Sequence, residues 1–528
     1  MLGLLGLRGL GSGRHFLPLA ATCLLAGAGA GACGPSVTGD PGSTGSTATG
    51  TGGMGVGSST GTGGTAGTGG TAGSAGTGGV GGSPGCAGPD NASCGLGGVI
   101  CCAATCIPGD CCDSSQCHAT KGPAYSCVDH VCSQCDPATG DTYLVDPVNG
   151  DDAAATGSGM KLGGAAPGCA FKTITRALQI LGATPPPGTT LHVVPNTTVS
   201  AGETFPIKVP IGVTVTVVGG TATVALPAGA TGFRLRKGAI LSNLVVDGKG
   251  QALTGVLVNT GSDLSTRIEN VTVKDMIADG IGVGAKGAVT LGPGVASTGN
   301  GTAAAPHSGL KVAGQVVISV LAGQAATSFS NNSGHGIAVV DGGSILIGVD
   351  ANSAPLVTTL SANQGANLYL RQTPSAAQAS VVHHATITAS AASGIQIHGG
   401  SMLSLRSSVV LGNAVNGVIV DTYKVNAVVS DDISKIDLGT LASPGQNVFQ
   451  AVAGAAPGPN GGAGVCLWIN PMAGAILSAQ GNTFDGIDCA ASNPGALTRK
   501  TVCKGGIDLG IAGKGTANDV ATDHCTHP

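Results

Sequence analysis

The sequence predicts an all-β protein built around a parallel β-helix, and three observations carry that prediction. Of 528 residues, 94 are Gly, 9% are charged and 2% are aromatic, whereas ordinary soluble domains carry ~25% charge and ~7% Gly. Hydrophobic residues still reach 42%, mostly Val, Ile, Leu and Ala in short runs, so small and β-branched side chains can fill a core almost without rings. The second observation is a repeat: Gly232-Phe-Arg-Leu, Gly255-Val-Leu-Val, Gly280-Ile-Gly-Val, Gly309-Leu-Lys-Val, Gly336-Ile-Ala-Val, Asn367-Leu-Tyr-Leu, Gly394-Ile-Gln-Ile and Gly417-Val-Ile-Val, at steps of 23, 25, 29, 27, 31, 27 and 23 residues. Both alternate positions are apolar in every copy, the period-two signature of a strand with one buried face. The third is the leading residue, Gly or Asn throughout, which are the two residues that best tolerate a left-handed backbone at a turn. Coils of variable length that stack at the strand spacing of ~4.8 Å and send insertions into loops satisfy all three. A sandwich or propeller is the alternative, and neither accounts for this pattern at such irregular intervals as naturally.

From the N-terminus, residues 1–32 read as a secretory leader. Arg8 and Arg14 precede the uncharged stretch Phe16–Ala32, which ends in Ala30-Gly31-Ala32 before Cys33, the order of charged region, apolar region and small-residue cleavage site. The run Ala30-Gly31-Ala32-Cys33 resembles a bacterial lipobox, which implies lipidation of Cys33; Ala30 stands where that motif usually has Leu, so cleavage without lipid is the alternative. Gly34 after the Cys, by the same resemblance, points to the outer membrane or cell surface. Residues 33–85 are Gly, Thr, Ser and Ala with near-repeats such as GTGGTAGTGGTAG. They cannot bury enough surface to offset their ordering entropy and read as a disordered linker.

Residues 86–135 hold eleven cysteines: Cys86, Cys94, Cys101, Cys102, Cys106, Cys111, Cys112, Cys117, Cys127, Cys132 and Cys135. In an exported chain that density reads as a disulfide module, because so short a segment lacks a core of its own. Zinc sites favour repeated C-x-x-C, and only Cys132-x-x-Cys135 has that spacing. Cys169 is the candidate twelfth member, and Cys466, Cys489, Cys503 and Cys525 are expected to fasten the C-terminal end. Residues 136–185 are expected to cap the β-helix, with Phe171–Leu181 as a helix. Residues 186–460 are the β-helix proper, and 461–528 its last coils and cap, with further copies at Gly464 and Gly506. A second apolar strand follows each copy, for example Ala239-Ile-Leu, Ile268-Glu-Asn-Val-Thr-Val, Ser344-Ile-Leu-Ile and Ala385-Thr-Ile-Thr.

The opening Tyr143-Leu-Val-Asp-Pro-Val-Asn-Gly-Asp-Asp152, followed by Phe171-Lys-Thr-Ile and Leu191-His-Val-Val, resembles a bacterial domain-of-unknown-function family of the pectate-lyase-like superfamily. That resemblance runs from about Asp141 to Val420 and implies a right-handed parallel β-helix. It implies no particular chemistry, since one fold hosts many functions.

Function is bounded more loosely. A net charge of −4 from 23 basic and 27 acidic residues is too balanced and dilute for nucleic-acid binding. Polysaccharide hydrolysis needs two carboxylates about 5–10 Å apart, yet only Glu203 and Glu269 are Glu, so Asp must supply the pair. Gly334-His335-Gly336 resembles an element of pectin hydrolases whose companion motifs are missing, and Asp431-Asp432 lies outside a clear strand. If the first and third residues of each copy point inward, the second and fourth form outward columns. Those columns place Tyr369, Arg371, Gln396, His398 and Asp421 in one polar patch over three coils, suited to stacking on and hydrogen bonding an acidic glycan. Asp146, Asp151 and Asp152 could bind Ca²⁺ with backbone oxygens or serve a turn in the cap; no other cofactor is expected. The preferred reading is a monomeric, lipid-anchored envelope protein that displays the β-helix for binding, adhesion or structure. The alternative is a cell-anchored polysaccharide lyase or glycoside hydrolase.

Overall fold

In the computed structural model, described residues are most of 98–449, residue 92 and short segments between 458 and 510; the longest breaks within the main span are 136–140, 154–168 and 350–357. The leader, Cys33, the linker, Cys86, Cys94, Cys489, Cys503, Cys525 and the Gly506 copy lie outside them.

The chain winds as a parallel β-helix with three sheets, of eleven, ten and nine strands among the described residues. From Thr190–Val193 to Ile395–His398 each strand pairs in parallel with the strand three places on in the chain, so one coil contributes one strand to each sheet. All eight Gly-led or Asn-led copies fall in the ten-strand sheet and share one register. Phe233 stands beside Val256, then Ile281, Leu310, Ile337, Leu368, Ile395 and Val418. Val465, after Gly464, continues the column, and Ile207 begins it without a leading Gly. The inward side chains of these strands form aliphatic stacks in a single core that reaches from Val145 to Ala479, in which Phe171, Phe233, Phe329 and Phe449 are the fully buried rings.

The structure corrects the sequence reading in three respects. None of the eight leading Gly or Asn residues is left-handed; the glycines are required by close approach to the next coil, where a Cβ would lie 2.4 Å from Gly255 O at Gly232 and 2.9 Å from Gly336 O at Gly309. There are three strands per coil rather than two: Ile268–Val273 is split between the eleven-strand sheet (Arg267–Glu269) and the nine-strand sheet (Thr272–Lys274). The corner is the left-handed Asn270, φ 50°, and Asn243 and His384 take φ 59° and 54° at equivalent corners. One left-handed residue turns the chain without interrupting its apolar pattern, so two strands read as one. Alternation also misplaces part of the outward columns, because Ala338, Val340 and Ile419 are buried, Ile419 completely.

Polar stacking holds another corner. The fully buried Asn332 Oδ1 accepts from the backbone N–H (3.1 Å) and Nδ2 (2.8 Å) of Asn300. Asn332 Nδ2 in turn donates to Asn363 Oδ1 at 2.9 Å, and Asn363 Nδ2 to Asn367 Oδ1 at 2.7 Å. Asn367 Nδ2 reaches Asn413 Oδ1 at 3.2 Å and Asn413 Nδ2 reaches Asn460 Oδ1 at 2.9 Å. An amide both donates and accepts, so each coil satisfies its neighbour's buried groups.

The front of the stack is covered by a helix at Ile174–Leu181, which buries Ile174, Ala177 and Leu178. Thr173 caps it through Oγ1, which accepts from Arg176 N at 3.0 Å. The Glu203 carboxylate accepts from Ile174 N (2.6 Å) and Thr175 N (2.9 Å), placing an anion at the positive end of the helix dipole. Gly182 ends the helix at φ 74°. Residues 136–185 also supply a strand, Thr142–Val145, which pairs with Thr190–Val193 as the edge of the eleven-strand sheet.

In the cysteine-rich module, hairpins Val99–Cys102/Thr105–Pro108 and Tyr125–Val128/Val131–Gln134 flank a helix at Ser114–Lys121. Disulfides join Cys102 to Cys112, Cys111 to Cys127 and Cys117 to Cys132. Adjacent Cys111 and Cys112 therefore take different partners. Cys135 pairs with Cys169, Cα atoms 5.4 Å apart, and so links the module to the start of the β-helix. Cys101, Cys106 and Cys466 are disulfide-bonded as well.

Candidate functional site

The ten-strand sheet presents its outward side chains in columns at one coil spacing. Tyr369 and Arg371 lie on strand Leu368–Gln372, Gln396 and His398 on Ile395–His398, and Asp421 on Val418–Asp421. Register sets Tyr369 beside Gln396 and His398 beside Asp421. Arg371 is exposed and the other four are half-buried.

His335 completes the group, from the turn that leads into strand Ile337–Asp341. Its ring stacks on Tyr369 with centroids 4.1 Å apart and planes 9° from parallel. His398 meets Tyr369 edge-on at 5.2 Å and 75°, and Arg371 Cζ lies 6.0 Å from the Tyr369 centroid. One face of Tyr369 is thus covered by imidazole, which makes the group a packed aromatic and cationic strip rather than an open stacking platform. Gly336 beside His335 has a physical reason: a Cβ there would lie 2.6 Å from Asn367 O and 2.7 Å from Asn363 Nδ2, inside the asparagine corner.

The histidines share a tautomer. His335 Nδ1 lies 3.3 Å from Ala366 O and His398 Nδ1 lies 3.2 Å from Thr422 O. A carbonyl only accepts, so each Nδ1 carries the proton and each Nε2 keeps its lone pair. His398 Nε2 is buried without a hydrogen-bond partner. Burial pushes the His335 pKa down to about 4, against the opposing pull of the Ala366 hydrogen bond. It lowers that of His398 against the Thr422 hydrogen bond and Asp421, and raises that of the Tyr369 hydroxyl against Arg371. At neutral pH the strip therefore holds two uncharged imidazoles and a neutral phenol around one guanidinium.

Asp431 also reaches the strip. Thr422 N donates to Asp421 Oδ1 (2.8 Å) and Thr422 Oγ1 to Asp431 Oδ1 (2.6 Å). A hairpin, Tyr423–Val425 with Val428–Ser430, brings Asp431 back, a long-range return that no local pattern announces. Toward the front of the stack the row continues with Asp279, whose Oδ1 lies 3.4 Å from His307 Nδ1 and whose Oδ2 lies 4.0 Å from Lys311 Nζ. His335, His307 and Asp279 escaped the strand columns because they occupy the turns before the strands.

The cap aspartates lie elsewhere. Asp146 Oδ1 accepts from Val148 N and Asn149 N, both at 3.0 Å. Asp151 Oδ1 accepts from Ala153 N at 2.8 Å. Asp152 accepts from Lys172 N (2.8 Å), Thr173 N (3.0 Å) and Thr173 Oγ1 (2.7 Å). These are turn and cap roles. Among the described residues, the set of three metal-capable side chains whose ligand atoms converge is Cys111, Cys117 and Cys132, and all three are in disulfides.

Acid should weaken the fold through the strip. The folded-state pKa of His335, about 4, lies below its ordinary 6.5, so its contribution is fully present above pH 6.5 and is lost as pH falls toward 4. The expected loss is about 2 kcal/mol, discounted for the water that reaches the half-buried ring. Urea midpoints at pH 7 and pH 4.5 read this, and His335→Phe, which keeps a stacking ring and removes the titration, should show a flatter dependence than wild type. Equal pH dependence in both would refute the assignment.

No protein-family model and no curated protein sequence matches the chain. Among solved structures it is similar to the A-module of Azotobacter vinelandii mannuronan C-5 epimerase AlgE6, with 16% identity, 65% of this chain and 94% of that chain covered, and a TM-score of 0.42. It is also similar to the AlgE4 A-module of the same organism (16% identity, 53% and 83% covered, TM-score 0.36) and to pectate lyase Pel9A (15%, 68% and 83%, TM-score 0.35). Likenesses this distant assign neither activity nor substrate. The coordinates themselves define the class: a parallel β-helix protein with an N-terminal disulfide-rich module.

Proposed function

We propose that this chain is an exported protein, lipid-anchored through Cys33 at the cell envelope, whose β-helix binds acidic polysaccharide along the outer face of the ten-strand sheet. The observation that carries the reading is the strip itself. Arg371 projects into solvent beside Tyr369 with no ion-pair partner among the described residues. Around it Tyr369, His335 and His398 offer uncharged polar edges over consecutive coils. A guanidinium can take a uronate carboxylate bidentately while neighbouring rings contact the sugar. The leader, the lipobox-like run and the linker support envelope display. The opening motif supports placement in the pectate-lyase-like domain-of-unknown-function family.

Binding of the purified mature chain to an acidic-glycan array is the test. Arg371→Ala should weaken binding about tenfold, or ~1.4 kcal/mol, and added salt should weaken it further because exposed charge contacts are screened over ~8–10 Å at physiological ionic strength. Glycan binding indifferent to both would overturn the proposal.

A specific observation also favours the lyase alternative: His335, held neutral with Nε2 unprotonated, lies against the Tyr369 phenol. A base beside a hydroxyl acid is the pair that proton abstraction next to a carboxylate needs. Release of unsaturated uronates that disappears in His335→Ala or His398→Ala would make this the better reading.

A further inference from the structure

A groove lies at the front of the β-helix, beside the capping helix. The helix Ile174–Leu181 and strand Ile207–Val209 leave between them a groove of about 360 Å³, within the size range of small-molecule sites. Its walls include the apolar Leu178, Pro206 and Pro210 and the amide-bearing Gln179, and its rim carries Lys208 and Arg236. Arg234 is the direct strand partner of Lys208, and Arg236 follows two residues on, so three cations share the outward face of the first two coils.

These cations have no counter-ion among the described residues. Lys237, Arg267, Lys274, Lys311 and Arg406 each face a carboxylate within 4.0 Å. Lys208, Arg234 and Arg236 face none among the described residues, and Arg234 Nε is buried with no hydrogen-bond partner. Like charges directly opposite on neighbouring strands are unfavourable, and a buried unpaired guanidinium nitrogen forfeits its hydration. Both features persist without cost if an anion from outside completes the cluster. Glu203, the carboxylate nearest in sequence, is committed to the helix N-terminus.

We propose that this groove binds a small organic anion, its carboxylate or phosphate held by Lys208, Arg234 and Arg236 and its body set against Leu178, Pro206 and Pro210. The site is independent of the Tyr369 strip and of any glycan bound there, and its failure would leave that reading intact. The bidentate fork of Arg suits either oxyanion, and the apolar wall requires a body attached to it.

The experiment titrates the full-length chain with glucuronate, a hexose phosphate, inorganic phosphate and acetate at one ionic strength, reading heat of binding and melting temperature. A ligand that binds only the folded state raises the melting temperature in proportion to its affinity. Glucuronate or the hexose phosphate should bind at least tenfold more tightly than inorganic phosphate and acetate; whichever does so identifies the oxyanion. Lys208→Gln and Arg234→Gln should abolish that difference, and Arg371→Ala should keep it. The ligand-free melting temperature of Lys208→Gln should equal or exceed that of wild type, since the substitution relieves repulsion. The proposal is overturned if neither organic anion exceeds inorganic phosphate, if both substitutions bind as wild type does, or if ligand-free Lys208→Gln melts markedly lower, which would make the cations structural.

Discussion

Aspartate in place of Ile337 should remove most or all of the stability of the β-helix. Ile337 is fully buried and stands in register between Leu310 and Leu368, with no polar group in its column to receive a carboxyl. Burying an unpaired charge or an unsatisfied acid costs several kcal/mol, against a total of ~5–15 kcal/mol for a typical domain. Val420→Asp, at the other inward position of the copy three coils on and in register with Val339, should behave alike. So should Ile419→Asp, which separates the structure from the sequence pattern: alternation sets Ile419 outward, whereas the structure buries it completely. Arg371→Ala, on the exposed position, should stay within about ±0.5 kcal/mol. Urea unfolding followed by far-ultraviolet circular dichroism orders the variants. A midpoint for Ile337→Asp near wild type would mean that the register is wrong.

The contrast between Ile337 and Ile419 shows where sequence reasoning holds. Inward positions of the Gly-led copies were legible because period-two alternation acts locally, and all sixteen apolar positions in the eight copies are buried, although the leading residues mark a close approach between coils rather than the left-handed turn their identity suggests. Outward positions depend on what the rest of the chain lays over them, and alternation carries no information about that. The other two sheets were half legible, since a single left-handed corner such as Asn270 leaves the apolar run unbroken. The candidate site divides on the same line. Tyr369, Arg371, His398 and Asp421 could be gathered from strand columns. His335 sits in a turn and Asp431 returns through a hairpin, so only the wound chain brings them to the strip. The disulfides follow a third logic: density and parity of Cys indicate that bonds form, while geometry alone selects Cys135 for Cys169.

Asn332→Ala should destabilise the protein by about 3–4 kcal/mol, though it removes only one small polar side chain. Asn332 Oδ1 satisfies Asn300 N and Nδ2, while its Nδ2 donates to Asn363 Oδ1 and to Ser297 O. Truncation leaves Asn300 N without its acceptor in a fully buried corner and removes one bond each from Asn300 Nδ2, Asn363 Oδ1 and Ser297 O, of which Asn300 Nδ2 keeps Ser297 Oγ and Asn363 Oδ1 keeps Asn332 N; an unmet buried group costs ~1–3 kcal/mol and each further lost bond ~0.5–1.5 kcal/mol. The neighbouring Asn331 is exposed with φ 55°; Asn331→Ala loses only left-handed tolerance, an expected cost of about 1 kcal/mol. Asn332→Asp should be at least as damaging as Asn332→Ala, because it keeps the acceptor for Asn300 but presents an acceptor to Asn363 Oδ1 and buries a charge. Because each coil of a solenoid is stabilised mainly by its neighbours, the damage should also be local. Hydrogen exchange in Asn332→Ala should accelerate first in the amides of Asn300 and its adjoining strands, before those near Val209 or Val420. If Asn332→Ala is no worse than Asn331→Ala, or exchange rises evenly along the chain, the asparagine corner is not what ties coil to coil.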